Sequence, residues 1–356
     1  MKSNIIDLRR TSSRRLNLLT GKYILLSPQR ITRPWNGQVE KIDEEKQPAY
    51  DKNCYLCPKN ERISKEKNPD YKGLYHFPND CAAINDFESD YTNKHAKYFN
   101  DEISKHSIER GGCEVLCYNH THNKAIMHMS IEEISKVINL WQDCFQKISE
   151  DKRVKHIQIF ESRGNSVGNS NLHPHGQIWY QNHVPTIPAN ELEQQKKYYK
   201  KNKKNLLLEY LKKELKINER IVYHNDNFAI LVPYWAEWPY ELLILPKKPL
   251  QTIVQLKSKK IIKQLAECLK ISTNLYAQLF GRPKFGSDYM MGMHQKPNTK
   301  KEMLYQQFHM HYISPMLNSS RQKFQAGYEK FGEPQRDFSP EYACEQLKKQ
   351  LKKITI

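Results

Sequence analysis

Residues 173–177 read His-Pro-His-Gly-Gln. In an extended segment, residues two apart face the same way, so His173 and His175 serve one site or two sites that share a wall. A neutral imidazole can attack phosphorus through a ring nitrogen, and the N–P bond it forms is labile enough to pass the group on. That chemistry needs a fixed tautomer, usually set by a backbone carbonyl that accepts the proton of the other ring nitrogen. Pro174 stiffens the segment, and Gly176 keeps the backbone slim where a phosphate must approach. Gln177, facing the same side as His175, can donate a hydrogen bond to a phosphoryl oxygen. A histidine satisfied within the core is the plainer reading of any one such ring.

Two further sets suit metals. Cys54-x-x-Cys57 offers two thiolates from one tight loop. Zinc takes four S or N donors in a tetrahedron, and His122 and His173 are candidates for the other two. A redox dithiol or ordinary loop cysteines also account for the pair. His309 and His311, with His294 upstream, would suit a divalent metal if a carboxylate joins them.

The elements that must position these groups are legible in outline. Residues 22–27 (KYILLS), GLYHFPND and CEVLCYN read as strands, HIQIFES and HGQIWYQ as two more joined by a Gly/Ser/Asn-rich turn. Ser130 and Glu133 form a capping-box signature ahead of a helical pattern. SPQRITRP reads as a basic loop, and residues 38–72 as polar loop around the cysteine pair. Three features then recur in order. Asn79-Asp80 is echoed by Asn225-Asp226, Glu114–Tyr118 by Glu241–Leu245, and the histidine pair of 173 and 175 by that of 309 and 311. This pattern predicts a duplicated α+β fold: two units with antiparallel sheets and flanking helices, packed into one core. The halves divide as 1–190 and 191–356, with a Lys/Glu/Gln-rich helical insert at 186–218.

Composition sets bounds. The chain has 356 residues, 38% of them hydrophobic and 27% charged, with no apolar run long enough to span a bilayer. The N-terminal stretch lacks the apolar centre of a signal peptide. Eight scattered cysteines do not make a disulfide scaffold. The expected location is cytoplasmic, without membrane partners. The formal charge of +18 invites a nucleic-acid reading, but the lysines are spread over helical stretches as solvated faces, so no nucleic-acid partner is expected. A basic surface also steers polyanionic small substrates.

GNSNLHPHGQIW closely resembles the active-site motif of galactose-1-phosphate uridylyltransferases, a branch of the histidine-triad superfamily. CYLCPKN, KNPDYKGLYHFPND, VPYWAEWPYELLILPKK, MGMHQKP, FHMHYISPML and RQKFQAGYEKFGEPQRD resemble that family in its order, from about Arg14 to the end. The resemblance implies histidine-triad-like halves and a zinc held by Cys54, Cys57, His122 and His173, with His120 a rival to His122. His175 matches the nucleophile. A second metal, iron or zinc, would take His294, His309, His311 and Glu191, with Glu193 as the alternative carboxylate. Arg30 and Arg33 match phosphate contacts, Asn79 and Asp80 uridine contacts, and Ser170 and Gln177 contacts to the phosphoryl oxygens. Lys323, Tyr328, Glu329 and Gln335 match residues that hold the hexose from a neighbouring subunit, which implies a homodimer with shared sites.

The chain departs from the pattern at three places: Leu172 for a usual proline, Ser162 for an asparagine near the phosphates, and Met293 for a tryptophan. None removes a catalytic group. The implied reaction exchanges UMP between UDP-glucose and galactose 1-phosphate through a uridylyl-histidine. The rivals are a related enzyme acting on another sugar nucleotide or a dinucleoside polyphosphate, and a basic nucleic-acid-binding protein.

Overall fold

A computed structural model describes residues 7, 10–34, 47–84, 102–105, 107–169, 171–284 and 286–355. Its centre is a nine-stranded sheet. In chain order the strands are β3 (Tyr75–Pro78), β4 (Gly111–Cys117), β5 (His156–Arg163), β6 (His175–Gln181), β7 (Ile221–His224), β8 (Phe228–Leu231), β9 (Leu242–Pro246), β10 (Tyr289–His294) and β11 (His309–Ile313). Across the sheet the order is β3-β4-β6-β5-β10-β11-β9-β8-β7, and every pairing is antiparallel. A small sheet joins β1 (Ser13–Leu16) and β2 (Tyr23–Leu26) to β12 (Gln335–Arg336), near the C-terminus.

The duplication shows in this order. β5 and β10 pair at the centre, and outward from them β6 and β11, then β4 and β9, occupy corresponding lanes. Helix α1 (Ile131–Ser149) precedes β5, and helix α4 (Lys259–Leu279) precedes β10. One part of the echo fails. Asn79 and Asp80 follow β3, and Asn225 and Asp226 follow β7, but the lane that corresponds to β3 is that of β8, not β7. The Asn-Asp match is therefore a likeness of turns rather than of position. β7, beyond β8, has no counterpart at the opposite edge among the described strands.

Local rules explain the helices. The Ser130 hydroxyl accepts the Glu133 N–H at 3.1 Å, and Glu133 accepts the Ser130 N–H at 2.9 Å, a cap of about 1 kcal/mol. Ile134, Val137, Ile138, Trp141, Phe145 and Ile148 then fall on one buried stripe. The insert is two helices, α2 (Thr186–Asn202) and α3 (Leu206–Ile217). The basic segment after β2 is a short 3-10 turn, Pro28–Thr32. The remaining helices are α5 (Tyr328–Phe331) and α6 (Pro340–Leu351).

The alternation of the strands gives the sheet two different faces. Leu116, Ile178, Met310 and Tyr312 join α1 and α4 in the main core. On the other face, Leu243 and Leu245 pack under α3 and the first two strands. Val115 and Cys117 pack under the loop of Cys54 and Cys57. The paired histidines lie on this second face.

Arg15, Glu341, Arg220 and Glu214, each at most 5% exposed, chain β1 to α6 and α3 through contacts of 2.7–3.0 Å. Burial alone would raise the Glu341 carboxyl, but the guanidinium of Arg15 helps push it down to about 2.

Candidate active site

His175 is the first residue of β6, where it pairs with Cys117. Its Nδ1–H donates to the carbonyl of His173 at 2.7 Å. That bond fixes the tautomer, so Nε2 keeps its lone pair. Burial pushes the imidazole down to about 4, so the ring is neutral at ordinary pH.

Two residues on, the Gln177 carbonyl oxygen accepts Asn79 Nδ2 at 3.2 Å and the Trp179 indole N–H at 2.8 Å. With the oxygen end engaged, the NH₂ end is the one left to donate to an anion. The part played by Trp179 was not foreseen, although its parity with His175 and Gln177 was available. Asn79, matched to the nucleoside, meets Gln177 directly. Asp80 accepts the Ser64 N–H at 3.1 Å. Ser162 lies on β5, opposite Met290. Ser170 lies outside the described residues.

The expected reason for Gly176 is corrected. Its side-chain position points away from His175 and Gln177, into the helix face. A Cβ there would stand 1.9 Å from the Tyr118 hydroxyl oxygen and 2.9 Å from the Phe160 carbonyl. Glycine is required by what lies behind the strand, not by a phosphate in front of it.

Behind His175, the donor atoms of Cys54, Cys57, His122 and His173 all lie within 4.8 Å of one another, and all four residues are buried. Cys57 Sγ is 3.6 Å from His122 Nδ1 and 3.5 Å from His173 Nδ1. Sulfur and nitrogen donors at usual zinc distances in a tetrahedron stand about 3.5 Å apart, so this set fits a metal of that kind. The second nitrogen of His173 is 2.8 Å from the Asn119 carbonyl, the outer-shell contact that leaves Nδ1 free to ligate. The hydrogen bond from Cys57, with His122 and His173 adding to it, pushes the Cys54 thiol down. His120 is elsewhere: its Nδ1 accepts the Gly73 N–H at 3.0 Å.

A second cluster gathers Glu191, His294, His309 and His311. Glu191 Oε2 is 2.6 Å from His294 Nδ1 and 3.2 Å from His309 Nε2, and Oε1 is 3.7 Å from His311 Nε2. Burial opposes the Glu191 charge, but the imidazoles, His294 first, hold it well below the carboxylate range. Glu193 is exposed and stands 3.8 Å from Lys196. Helix periodicity explains the choice, since Glu191 and Gln195 form the buried stripe of α2. Glu241, 3.9 Å from His311, was not foreseen. A third donor group, His76, Glu114 and Cys144, lies between β3, β4 and α1.

The remaining matched residues form a separate pocket of about 490 Å³. Arg30, Arg33, Lys323, Tyr328, Glu329 and Gln335 line it, and neither His175 nor Gln177 does. Arg30 Nε and Gln335 Nε2 both donate to Asp337, at 2.9 and 2.8 Å. Lys323 pairs with Glu329, which also accepts the Gln335 N–H at 2.8 Å.

Comparison with known proteins follows the same order of parts. The galactose-1-phosphate uridyl transferase N-terminal domain model matches residues 2–185, and the C-terminal domain model matches 191–355. The galactose-1-phosphate uridylyltransferase of Haemophilus influenzae is 39% identical over 336 residues, 94% of this chain and 93% of the relative. That of Saccharomyces cerevisiae is 38% identical over 365 residues, 98% of this chain and 97% of the relative. A solved uridylyltransferase structure aligns with a TM-score of 0.72 at 23% identity, covering 96% of this chain and 99% of the other. With both halves matched in sequence order, the chain belongs to the galactose-1-phosphate uridyl transferase family.

Proposed function

We propose that the protein exchanges UMP between UDP-glucose and galactose 1-phosphate in two displacements at His175. The observation that carries this is the hydrogen bond that His175 Nδ1–H donates to the His173 carbonyl. It leaves Nε2 as a lone pair on a neutral ring, beside the donor end of Gln177. The Nε2 lone pair attacks the α-phosphorus of UDP-glucose. The N–P bond forms, the P–O bond breaks, and glucose 1-phosphate leaves with the bonding electrons. A phosphate oxygen of galactose 1-phosphate then attacks the same phosphorus. The N–P bond breaks, its electrons return to Nε2, and UDP-galactose departs. The carbonyl of His173 holds the Nδ1 proton throughout and stabilises the cationic ring of the intermediate. Gln177 donates to the phosphoryl oxygens, a role shared by Ser170 and by Ser162 in place of the usual asparagine. Asn79 and Asp80 meet the nucleoside.

Cys54, Cys57, His122 and His173 would hold zinc, and Glu191, His294, His309 and His311 a second ion, iron or zinc. Each ion, when bound, supplies a fixed crosslink between elements. The pocket of Arg30, Arg33, Lys323, Tyr328, Glu329 and Gln335 suits a sugar phosphate, yet it shares no lining residue with the His175 group. This supports a homodimer in which one protomer's pocket completes its partner's site. The halves are 1–190 and 191–356, and helix α2 spans the junction. Eight free thiols support a reducing compartment, the cytoplasm.

The test is exchange. Labelled glucose 1-phosphate should enter UDP-glucose with no galactose 1-phosphate present, because a covalent intermediate lets the first half-reaction run alone. Formation of UDP-galactose without such exchange would sink the two-step reading.

A further inference from the structure

The loop that carries Cys54 and Cys57 turns back and closes on Asp80. Asn60 Nδ2 donates to the carbonyls of Asp51 and Cys54, at 2.9 and 2.8 Å. Asn68 Nδ2 donates to those of Tyr55 and Cys57, at 2.9 and 3.0 Å. Between these two clamps, Glu61 and Lys67 form an antiparallel bridge, and the Arg62 N–H donates to the Glu66 carbonyl at 2.8 Å.

This small ribbon puts two donors against one carboxylate. The Ser64 N–H donates to Asp80 Oδ2 at 3.1 Å, and Arg62 Nη1 stands 3.7 Å from Oδ1. The Arg62 side chain is 7% exposed and its guanidinium lies 4.4 Å from the centre of the Phe77 ring. Nη2 pairs with Glu66, but Nε and Nη1 have no hydrogen-bond acceptor. A buried guanidinium with two unanswered nitrogens costs stability and is held there by the ribbon. Asn79, next to Asp80, donates to Gln177.

We infer that Arg62 is a positioning residue for the nucleoside end of the substrate. Its charge, 3.7 Å from Oδ1, holds Asp80 turned so that the lone pairs not used by Ser64 can accept from the vicinal hydroxyls of a ribose. Arg62 thereby sets affinity for ribonucleotides over deoxyribonucleotides without touching the reacting atoms. The inference rests on the reading that Asp80 meets the nucleoside.

A double-mutant cycle on UMP binding, measured by titration calorimetry on the full chain, tests it. Arg62→Met should weaken UMP about tenfold, on the order of one close charge pair. In an Asp80→Asn background the same change should add less than about twofold. Both single variants should lose the preference for UMP over dUMP. The KM for galactose 1-phosphate should stay at the wild-type value in Arg62→Met, and Arg62→Lys should recover part of the UMP affinity. If Asp80→Asn weakens UMP and Arg62→Met does not, or if the two effects multiply independently, the inference is overturned and the reading of Asp80 stands. If Asp80→Asn leaves UMP binding unchanged, that reading falls and takes the inference with it. Should Arg62→Met lose metal or fail to fold, the cycle is run with Arg62→Lys and judged by the same coupling.

Discussion

β6 opens on His175 and β11 on His309, and in each ring Nδ1–H donates to the carbonyl two residues back, 2.7 Å to His173 and 2.9 Å to Gln307. Both rings are lowered by burial. What faces Nε2 differs. At His309 it is the Glu191 carboxylate, 3.2 Å away; His175 instead shares its face of β6 with the amide of Gln177. A lone pair beside a buried carboxylate is committed to a proton or a metal, whereas one beside an uncharged donor stays free to attack an electrophile. The strand supplies the tautomer in both halves, and the carboxylate decides the chemistry. This also changes the internal alignment. The two histidine pairs match residue for residue in the sequence, but strand start and hydrogen bond set His175 against His309. His311 then stands where Gln177 does.

The largest break in this comparison should come from the two strand-opening histidines. His175→Asn should reduce exchange by at least about 10⁴-fold, the range seen when a nucleophile is removed, with both metal clusters intact. Gln177→Ala should cost about 10²–10³-fold, as for one oxyanion donor. His309→Asn should leave exchange measurable, because His309 is spent on Glu191. Isotope exchange reads all three, and substantial exchange in His175→Asn would mean that the wrong ring has been named.

The clusters should respond differently to metal loss. Cys54→Ala should release zinc and lower Tm by roughly 5 °C or more, because the loop around Cys54 and Cys57 has only a small apolar cluster beneath it. Glu191→Gln should release the second ion and leave zinc bound. Metal analysis of the purified variants separates the two, and full zinc occupancy in a Cys54→Ala, Cys57→Ala double variant would refute the first assignment.

Much of this site was legible because its parts are local. The histidine spacing, the Cys-x-x-Cys turn and the Ser130 cap each depend on residues within a few positions. The choice between Glu191 and Glu193 was open in the sequence although the i, i+4 partner Gln195 was there to be counted. What could not be read were pairings set by the whole sheet. Nothing local says that β5 meets β10, that the strands ahead of Asn79 and Asn225 fall in different lanes, or that Tyr118 stands behind Gly176.

The pH profile sharpens the contrast between a neutral ring and a captured one. With His175 pushed down to about 4, kcat/KM for exchange should be flat from pH 8 to about 5 as far as this group is concerned, and should fall as the ring protonates near 4. A midpoint near the ordinary 6.5 would contradict the burial argument. Stability runs the same way. A histidine kept neutral in the fold but protonated in the unfolded chain makes the protein less stable as pH falls from about 6.5 toward 4. Glu341, depressed to about 2, stabilises above the unfolded carboxylate range and loses that contribution as pH drops through it. Circular dichroism at each pH keeps unfolding separate from protonation of His175.

The smallest effect should come from behind the strand. Between His175 and Gln177 the helix-face position is Gly176; between His309 and His311 it is Met310, fully buried in the main core. In the first half, Tyr118 fills the space behind Gly176. Gly176→Ala forces a Cβ to 1.9 Å from the Tyr118 oxygen, so β6 or Tyr118 must shift, and a shift of β6 moves His175. The expected cost is about 1–3 kcal/mol of stability, as for an overpacked core, with a fall in exchange but no loss of zinc. The Tyr118 hydroxyl is buried without a hydrogen-bond partner, so Tyr118→Phe alone should be close to neutral in stability. Combined with Gly176→Ala it should recover part of the loss, since the nearest remaining atoms stand 2.8 and 2.9 Å away rather than 1.9 Å. If Gly176→Ala is as stable and active as the native chain, the tyrosine does not hold the strand. If the double variant is worse than Gly176→Ala alone, the clash is with the Phe160 backbone, and the hydroxyl is a bystander.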